Sequence, residues 1–235
     1  MRVAALLLCA QAASADVIFE NHSGALPEHV YSGGWEHFVG GGVAVFDCNG
    51  DALTAPLPDM TGVTGAWPLD ADGDGHLDVM VLRVGENQLL RGDGNCGFAP
   101  ANDLLGFDGG GAWSTSFSAT WTNEGPVLAI GNYVDRDDPD GPFEACDDNR
   151  LHRWDGKAFA ASDLSPGFCA LSALFARDAT GKTRLRLSND RHYYVRGGKE
   201  QMFDLAENRF LGPDDGWEDV QLWGMGIASR DITGD

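Results

Sequence analysis

Apolar residues along the chain come in short runs. GGVAVFD (41–47), DVMVLRV (78–84), PVLAIGNYV (126–134), TRLRLSN (183–189) and HYYVR (192–196) alternate with polar positions or are dense in β-branched and aromatic residues. Both patterns read as strands rather than helices. Few stretches sustain a 3.6-residue period with caps, and Gly and Asp clusters separate the runs, as expected of tight turns. The pattern predicts an all-β protein.

A repeat refines that picture. N-x-L-x-R-x-D-G occurs as NQLLRGDG (87–94) and again as NRLHRWDG (149–156), followed by Phe98 and Phe159 respectively. Each copy reads as a strand, an Asp-Gly turn and a short strand ending in an aromatic residue. A second element, a small and apolar strand running into Asp, recurs as GGGVAVFD (40–47), GVTGAWPLD (62–70), CALSALFARD (169–178) and WGMGIASRD (223–231). WSTSFSATWT (113–122) matches it without the Asp. Residues 70, 122, 178 and 231 then mark equivalent points, spaced at lengths that suit four-stranded antiparallel blades with loop insertions. Small residues on the first strand suit the crowded inner strand of a β-propeller, which is the predicted architecture.

The densest chemistry lies at LDADGDGHLDVMV (69–81). Asp70, Asp72, Asp74 and Asp78 stand at positions 1, 3, 5 and 9 of a D-x-D-G-D-G-x-x-D loop, with the His76 backbone carbonyl at position 7. An oxygen-only, multiply charged set of this kind matches Ca²⁺, and Gly75 permits the sharp turn. Without a cation, the carboxylates would repel one another or take up protons. An EF-hand is excluded, because position 12 is Val81 and the flanks read as strands. Asp47, Asn49 and Asp51 offer a second, poorer copy, in which Ala52 replaces the Gly and Ala55 the last Asp. Asp231, Thr233 and Asp235 match the first three ligand positions of a third. In the loop from Asp178, Lys182 takes position 5 and is expected to replace an ion electrostatically.

Compartment and charge agree with an extracellular cation binder. MRVAALLLCAQAASA has the basic start, short apolar run and A-x-A site of a secretory signal over residues 1–15, leaving 16–235 as the mature chain. Cys48, Cys96, Cys146 and Cys169 then remain, an even number suited to an oxidising compartment. Three connectivities are open; Cys48–Cys96 and Cys146–Cys169 are expected, since each ties neighbouring segments. The chain carries 16 Lys and Arg against 36 Asp and Glu. That balance disfavours nucleic acid and anionic membrane surfaces as partners, and no stretch is long enough for membrane insertion.

These residues carry a resemblance. The acidic loop between strands, followed by N-x-L-x-R and D-G-x-x-F, resembles the FG-GAP/VCBS repeat of integrin-α-type propellers. HFVGGGVAVFDCNGD, GNYVD, SNDRHYYVRGG and LWGMGIASRDITGD are similar, more narrowly, to the cartilage acidic protein and ASPIC/UnbV-related secreted group. The resemblance covers essentially the whole mature chain. It implies a calcium-loaded propeller of about seven blades that binds a protein or glycan partner. The four and a half units found here would then be part of a longer protein or need a partner edge.

Other features weigh less. Arg91-Gly92-Asp93 spells an adhesion tripeptide, but Arg153-Trp154-Asp155 in the second copy makes Gly92 incidental. The acidic run at Asp135, Asp137, Asp138 and Asp140, with Glu144, Asp147 and Asp148, has no ligand register and reads as a surface loop. Asn21 opens a glycosylation sequon. Catalytic motifs are missing, and His192 beside two tyrosines reads as a packed residue. The competing classes are a propeller hydrolase or lyase, or the accessory domain of one, and a lectin. An enzyme predicts perturbed carboxylates or histidines converging in a pocket; a binding module predicts a broad groove.

Overall fold

Among the described residues, twelve strands form three antiparallel four-stranded meanders, each in sequence order. The first sheet contains β1 (Val63–Leu69), β2 (Asp78–Arg83), β3 (Gln88–Gly92) and β4 (Phe98–Pro100). The second contains β5 (Ser114–Thr122), β6 (Gly125–Asn132), β7 (Asn149–Trp154) and β8 (Phe159–Leu164). The third contains β9 (Ala170–Arg177), β10 (Thr183–Asn189), β11 (Gln201–Asp204) and β12 (Arg209–Phe210). A single helical turn, α1 (Asn102–Leu105), links the first two sheets. The computed structural model describes residues 46–48, 57–58, 60–141, 143–190 and 196–229, all within the unit Trp35–Asp235. The expected signal segment, Asn21, most of the first small/apolar strand and residues 192–195 lie outside the described residues.

The all-β expectation holds. The runs at 78–84, 126–134 and 183–189 are the second strands β2, β6 and β10. Both N-x-L-x-R copies form third strands, β3 and β7. The aromatic residue opens the fourth strand rather than closing it: Phe98 begins β4 and Phe159 begins β8. A larger difference concerns WGMGIASRD. Its described part, 223–229, forms no strand, and Leu222, Trp223 and Met225 are exposed. A strand exists by its ladder, and no described strand pairs with this segment.

β2 and β6 are buried on both faces and so read as near-continuous apolar runs, whereas β10 alternates. Met80 and Leu82 of β2 pack with Leu128 and Ile130 of β6 in one core, between the first two sheets. The alternate residues Val127 and Ala129 of β6 face the other way, meeting Leu185 and Leu187 of β10. Each fully buried Leu in these layers contributes about 2 kcal/mol through area removed from water. First strands lie side by side across the sheets. Thr64 of β1 donates its hydroxyl to the Ser114 carbonyl (2.6 Å), and Thr115 of β5 donates to the Ala170 carbonyl. The packing beside them is close as well: a Cβ on Gly131 of β6 would stand 2.1 Å from Oγ of Ser116 and 3.0 Å from the Ala170 Cβ.

The repeated Asn has a physical role. Oδ1 of Asn87 accepts from the Arg83 N–H at the end of β2, and Oδ1 of Asn149 from the Asn132 N–H at the end of β6 (2.8 Å each). Glu200 performs the same task in the third sheet, accepting from the Asn189 N–H at 3.1 Å. Two disulfides close the described chain, Cys48–Cys96 and Cys146–Cys169, joining the pairs of neighbouring segments expected from sequence. Among the described residues no helix is long and apolar enough to cross a membrane.

Candidate functional site

The acidic loop connects β1 to β2. Gly73 and Gly75 adopt left-handed backbone, φ 79° and 85°, a conformation that favours glycine. The turn then folds onto its own carboxylates. Asp70 accepts from the Gly73 and Gly75 N–H groups at 2.8 and 3.1 Å, and Oδ1 of Asp74 accepts from the His76 N–H at 2.8 Å. Asp78 is fully buried, and its two oxygens accept from the Gly92 and Ala71 N–H groups at 2.9 and 2.8 Å. One oxygen each from Asp70, Asp72 and Asp78 lies within 4.8 Å of the others.

Asp74 stands outside that trio. Its Oδ2 pairs with Nη2 of Arg91, while Nε of Arg91 bonds Oδ2 of Asp72 at 2.6 Å. The sequence reading missed this guanidinium. Arg91 extends from β3, beside the loop, and that explains the Arg of the repeat. Arg153, its counterpart on β7, has no acidic loop to meet and reaches the Leu205 carbonyl and Asn208 instead. Asp93 is likewise engaged, since its Oδ1 accepts from the Asn95 and Gly97 N–H groups. The Arg-Gly-Asp tripeptide is thus consumed by structure. Burial pushes the Asp78 carboxyl above the usual carboxylate range, against its two backbone hydrogen bonds, and Asp72 and Asp74 add to the rise.

The equivalent loops differ. Between β5 and β6 the connection is a two-residue turn, Asn123-Glu124, with no carboxylate cluster. Between β9 and β10, Asp178 accepts from Thr180 and from the Lys182 N–H, and Nε of Arg184 bonds it at 3.0 Å. Arg184 also pairs with the buried Asp204. Lys182 was expected to stand in for an ion there; it instead lies 3.5 Å from Glu207, and Arg184 takes the role. A guanidinium reaches two carboxylates at once, which a single ammonium at the turn does not. Of the poorer copies, Asp47 is exposed, whereas Asn49, Asp51, Asp231, Thr233 and Asp235 lie outside the described residues.

A second feature was not legible in the sequence. A cavity of about 480 Å³ is lined from both of the first two sheets and the loops beside them. Its buried lining includes Asn87, Ser114, Asn132 and His152. Asn87 donates to Oγ of Ser114, which donates to Oδ1 of Asn132, each at 2.8 Å. On one side Arg150 pairs with Asp108 (2.6 Å) and Asp163 (3.2 Å). On another side stand Asp135, Asp137, Asp147 and Asp148, from the acidic run read as a surface loop. Partial burial and the three neighbouring carboxylates push the Asp147 carboxyl up to about 6. Burial pushes the His152 imidazole down to about 4. Of the tryptophans, Trp113 is buried and lines this cavity, Trp67 packs against the core, and Trp121 and Trp223 are exposed.

The sequence matches no family model, and no curated protein is similar to it.

Proposed function

We propose that the chain is a secreted, calcium-binding β-propeller module of the FG-GAP type that binds an extracellular protein or glycan. The trio of Asp70, Asp72 and Asp78 carries the reading. Three carboxylates converge there, one of them fully buried and with no cationic side chain bonded to it among the described residues. Their oxygen-only chemistry suits Ca²⁺ rather than a transition metal. Asp70, Asp72 and Asp78 would hold the ion, with Asp74 and the His76 carbonyl completing the set. A bound ion would neutralise the carboxylates and fasten the turn to β2. The propeller reading is supported by three stacked four-stranded meanders with their small first strands side by side. Secretion is supported by two disulfides.

Thermal melts of the mature chain in EDTA, with calcium and then magnesium added back, test the ion. Calcium is expected to raise the midpoint well above the magnesium value, and Asp70→Asn and Asp74→Ala to remove the gain. A folded chain whose melt neither ion moves would reduce the loop to an acidic turn.

The enzyme reading has one observation in its favour: Asp147 and His152, both perturbed, line one cavity. Burial is the largest cause of both perturbations, and the charged neighbours that add to them differ. Asp147 responds to Asp135, Asp137 and Asp148, and His152 to Arg150 and Asp108.

A further inference from the structure

Small first strands join one sheet to the next. Ala170, second residue of the copy that becomes β9, packs where a Cβ on Gly131 would stand, and Gly131 precedes the Asn that ends β6. Gly224, second residue of the copy at 223–231, takes the same place on the third sheet: a Cβ there would overlap Oγ of Ser188, which precedes the Asn that ends β10. The Gly224 N–H donates to the Asn189 carbonyl at 3.2 Å, and the approach is fastened by the Glu200 N–H on the Val220 carbonyl (2.9 Å) and by Lys199 on Asp219 (2.6 Å). Segment 223–229 is thus seated as a fourth first strand. Yet β1, β5 and β9 are laddered residue by residue to β2, β6 and β10, and no described strand pairs with this segment. Leu222, Trp223 and Met225 are each more than half exposed. Backbone held extended without a ladder is a template for an incoming strand.

The far face of the third sheet sets what such a strand would meet. Between the earlier sheets the second strands present apolar residues, Met80 and Leu82 from β2, and Val127 and Ala129 from β6. β10 turns Leu185 and Leu187 toward the second sheet, and so Arg184 and Arg186 the other way. With Leu174, Met202 and Ile227, these two arginines line a groove of about 190 Å³ beside the segment. Arg184 is consumed by Asp178 and Asp204. Arg186 is 39% exposed, and its Nη2 lies 3.9 Å from Glu200, beyond hydrogen-bond reach. We propose that segment 223–229 is a strand-docking site, taking an antiparallel strand of another polypeptide whose inward face sets a carboxylate over Arg186 between apolar residues. The backbone supplies the ladder and Arg186 selects the side chain. A basic strand would be repelled, and a wholly apolar one would bury the guanidinium without a partner. A second copy fits poorly: 223–229 contains no acidic residue to face Arg186, and two chains with 36 acidic against 16 basic side chains repel. The inference rests on the binding half of the proposed function and gives its protein partner a form; the calcium loop takes no part.

Hydrogen exchange of the calcium-saturated full chain, read by mass spectrometry over 222–229, tests it with two acetylated heptapeptide amides, TLTETLT and TLTKTLT. The glutamate peptide is expected to slow exchange across the segment, and the lysine peptide to bind at least about tenfold more weakly. Arg186→Glu should reverse that preference; if this variant does not fold, the contrast between the peptides on the parent chain decides. Alternate N–H groups point to opposite sides of a strand, so the double variant Met225→Pro/Gly226→Pro removes a ladder donor whichever side is open. It should abolish protection and leave the circular dichroism unchanged, since both residues lie outside the strands and nothing stands within 4 Å of a Cβ on Gly226. Equal protection by both peptides, no protection by either, or protection that survives the prolines overturns the proposal. So does a concentration-dependent dimer of the peptide-free chain that the prolines dissolve, which would assign the position to a second copy. A chain that captures a glycan but no strand keeps the binding reading and loses this one.

Discussion

Asp78 in the first sheet and Asp204 in the third are both fully buried carboxylates accepting two backbone N–H groups. They titrate in opposite directions. Burial dominates at Asp78 and raises its carboxyl. Burial also pushes Asp204 up, but the Glu207 and Ala206 N–H groups and Arg184 outweigh it, and the carboxyl ends below the usual range. The third sheet therefore carries its own cation at the buried carboxylate. The first sheet places Arg91 on Asp72 and Asp74 and leaves Asp78 without one. One chain thus holds two arrangements for a single electrostatic problem: an internal guanidinium at Asp204, and at Asp78 no bonded cation, where we propose that an ion enters from outside.

The sharpest break is Arg184→Ala. It leaves Asp204 buried without its partner, and urea unfolding should show a loss on the order of 3 kcal/mol. Adding Asp204→Asn should recover more than half of that loss. Next in size is calcium itself. Its removal from a concentration near 100 times Kd should cost about 2.7 kcal/mol. Asp70→Asn should abolish that gain while Arg184→Ala retains it; a calcium response lost in both would mean that the two loops are not independent.

Acidity separates the two carboxylates in a third way. Because the folded Asp204 carboxyl is depressed, its ionised form stabilises the fold above the unfolded value of 3.8, and this is lost as pH falls through the folded value. The penalty of Asp204→Asn should therefore grow with rising pH. The raised Asp78 carboxyl has the opposite sign: its cost appears as pH rises above 3.8 and is complete beyond its folded value. In EDTA, Asp78→Asn should gain on the parent as pH rises, and saturating calcium should reverse that slope. The smallest effect belongs to Arg91→Ala. Arg91 is 39% exposed, so without calcium its loss should cost less than about 1 kcal/mol. Calcium affinity, read by titration, should rise in this variant, because Asp72 and Asp74 are released to the ion.

The meander order was legible because β2 and β6 are apolar runs and β10 alternates, all bounded by Gly and Asp turns, and because Asn87 and Asn149 repeat with their Leu and Arg. The third copy escaped notice, since Glu200 supplies the same oxygen from a different residue type. Segment 223–229 has the composition of a first strand, yet composition cannot provide the neighbour that makes a ladder. The acidic loop was legible for its spacing, which is local. Arg91 was not, because its arrival at Asp72 follows from the pairing of β2 with β3. The cavity lay furthest out of reach. Asn87, Asp108, Asn132, Asp147 and His152 meet only where two sheets stack, and no sequence interval joins them.

The Cys48–Cys96 bridge encloses the whole acidic loop within its covalent ring. A protease that cuts once anywhere inside this ring yields two pieces that still travel together. Such a nick is silent on a non-reducing gel and becomes visible when thiol is added. The molecule can thus be severed at its proposed ion-binding turn and remain one particle, its fragments held in place to close again around whatever the turn binds.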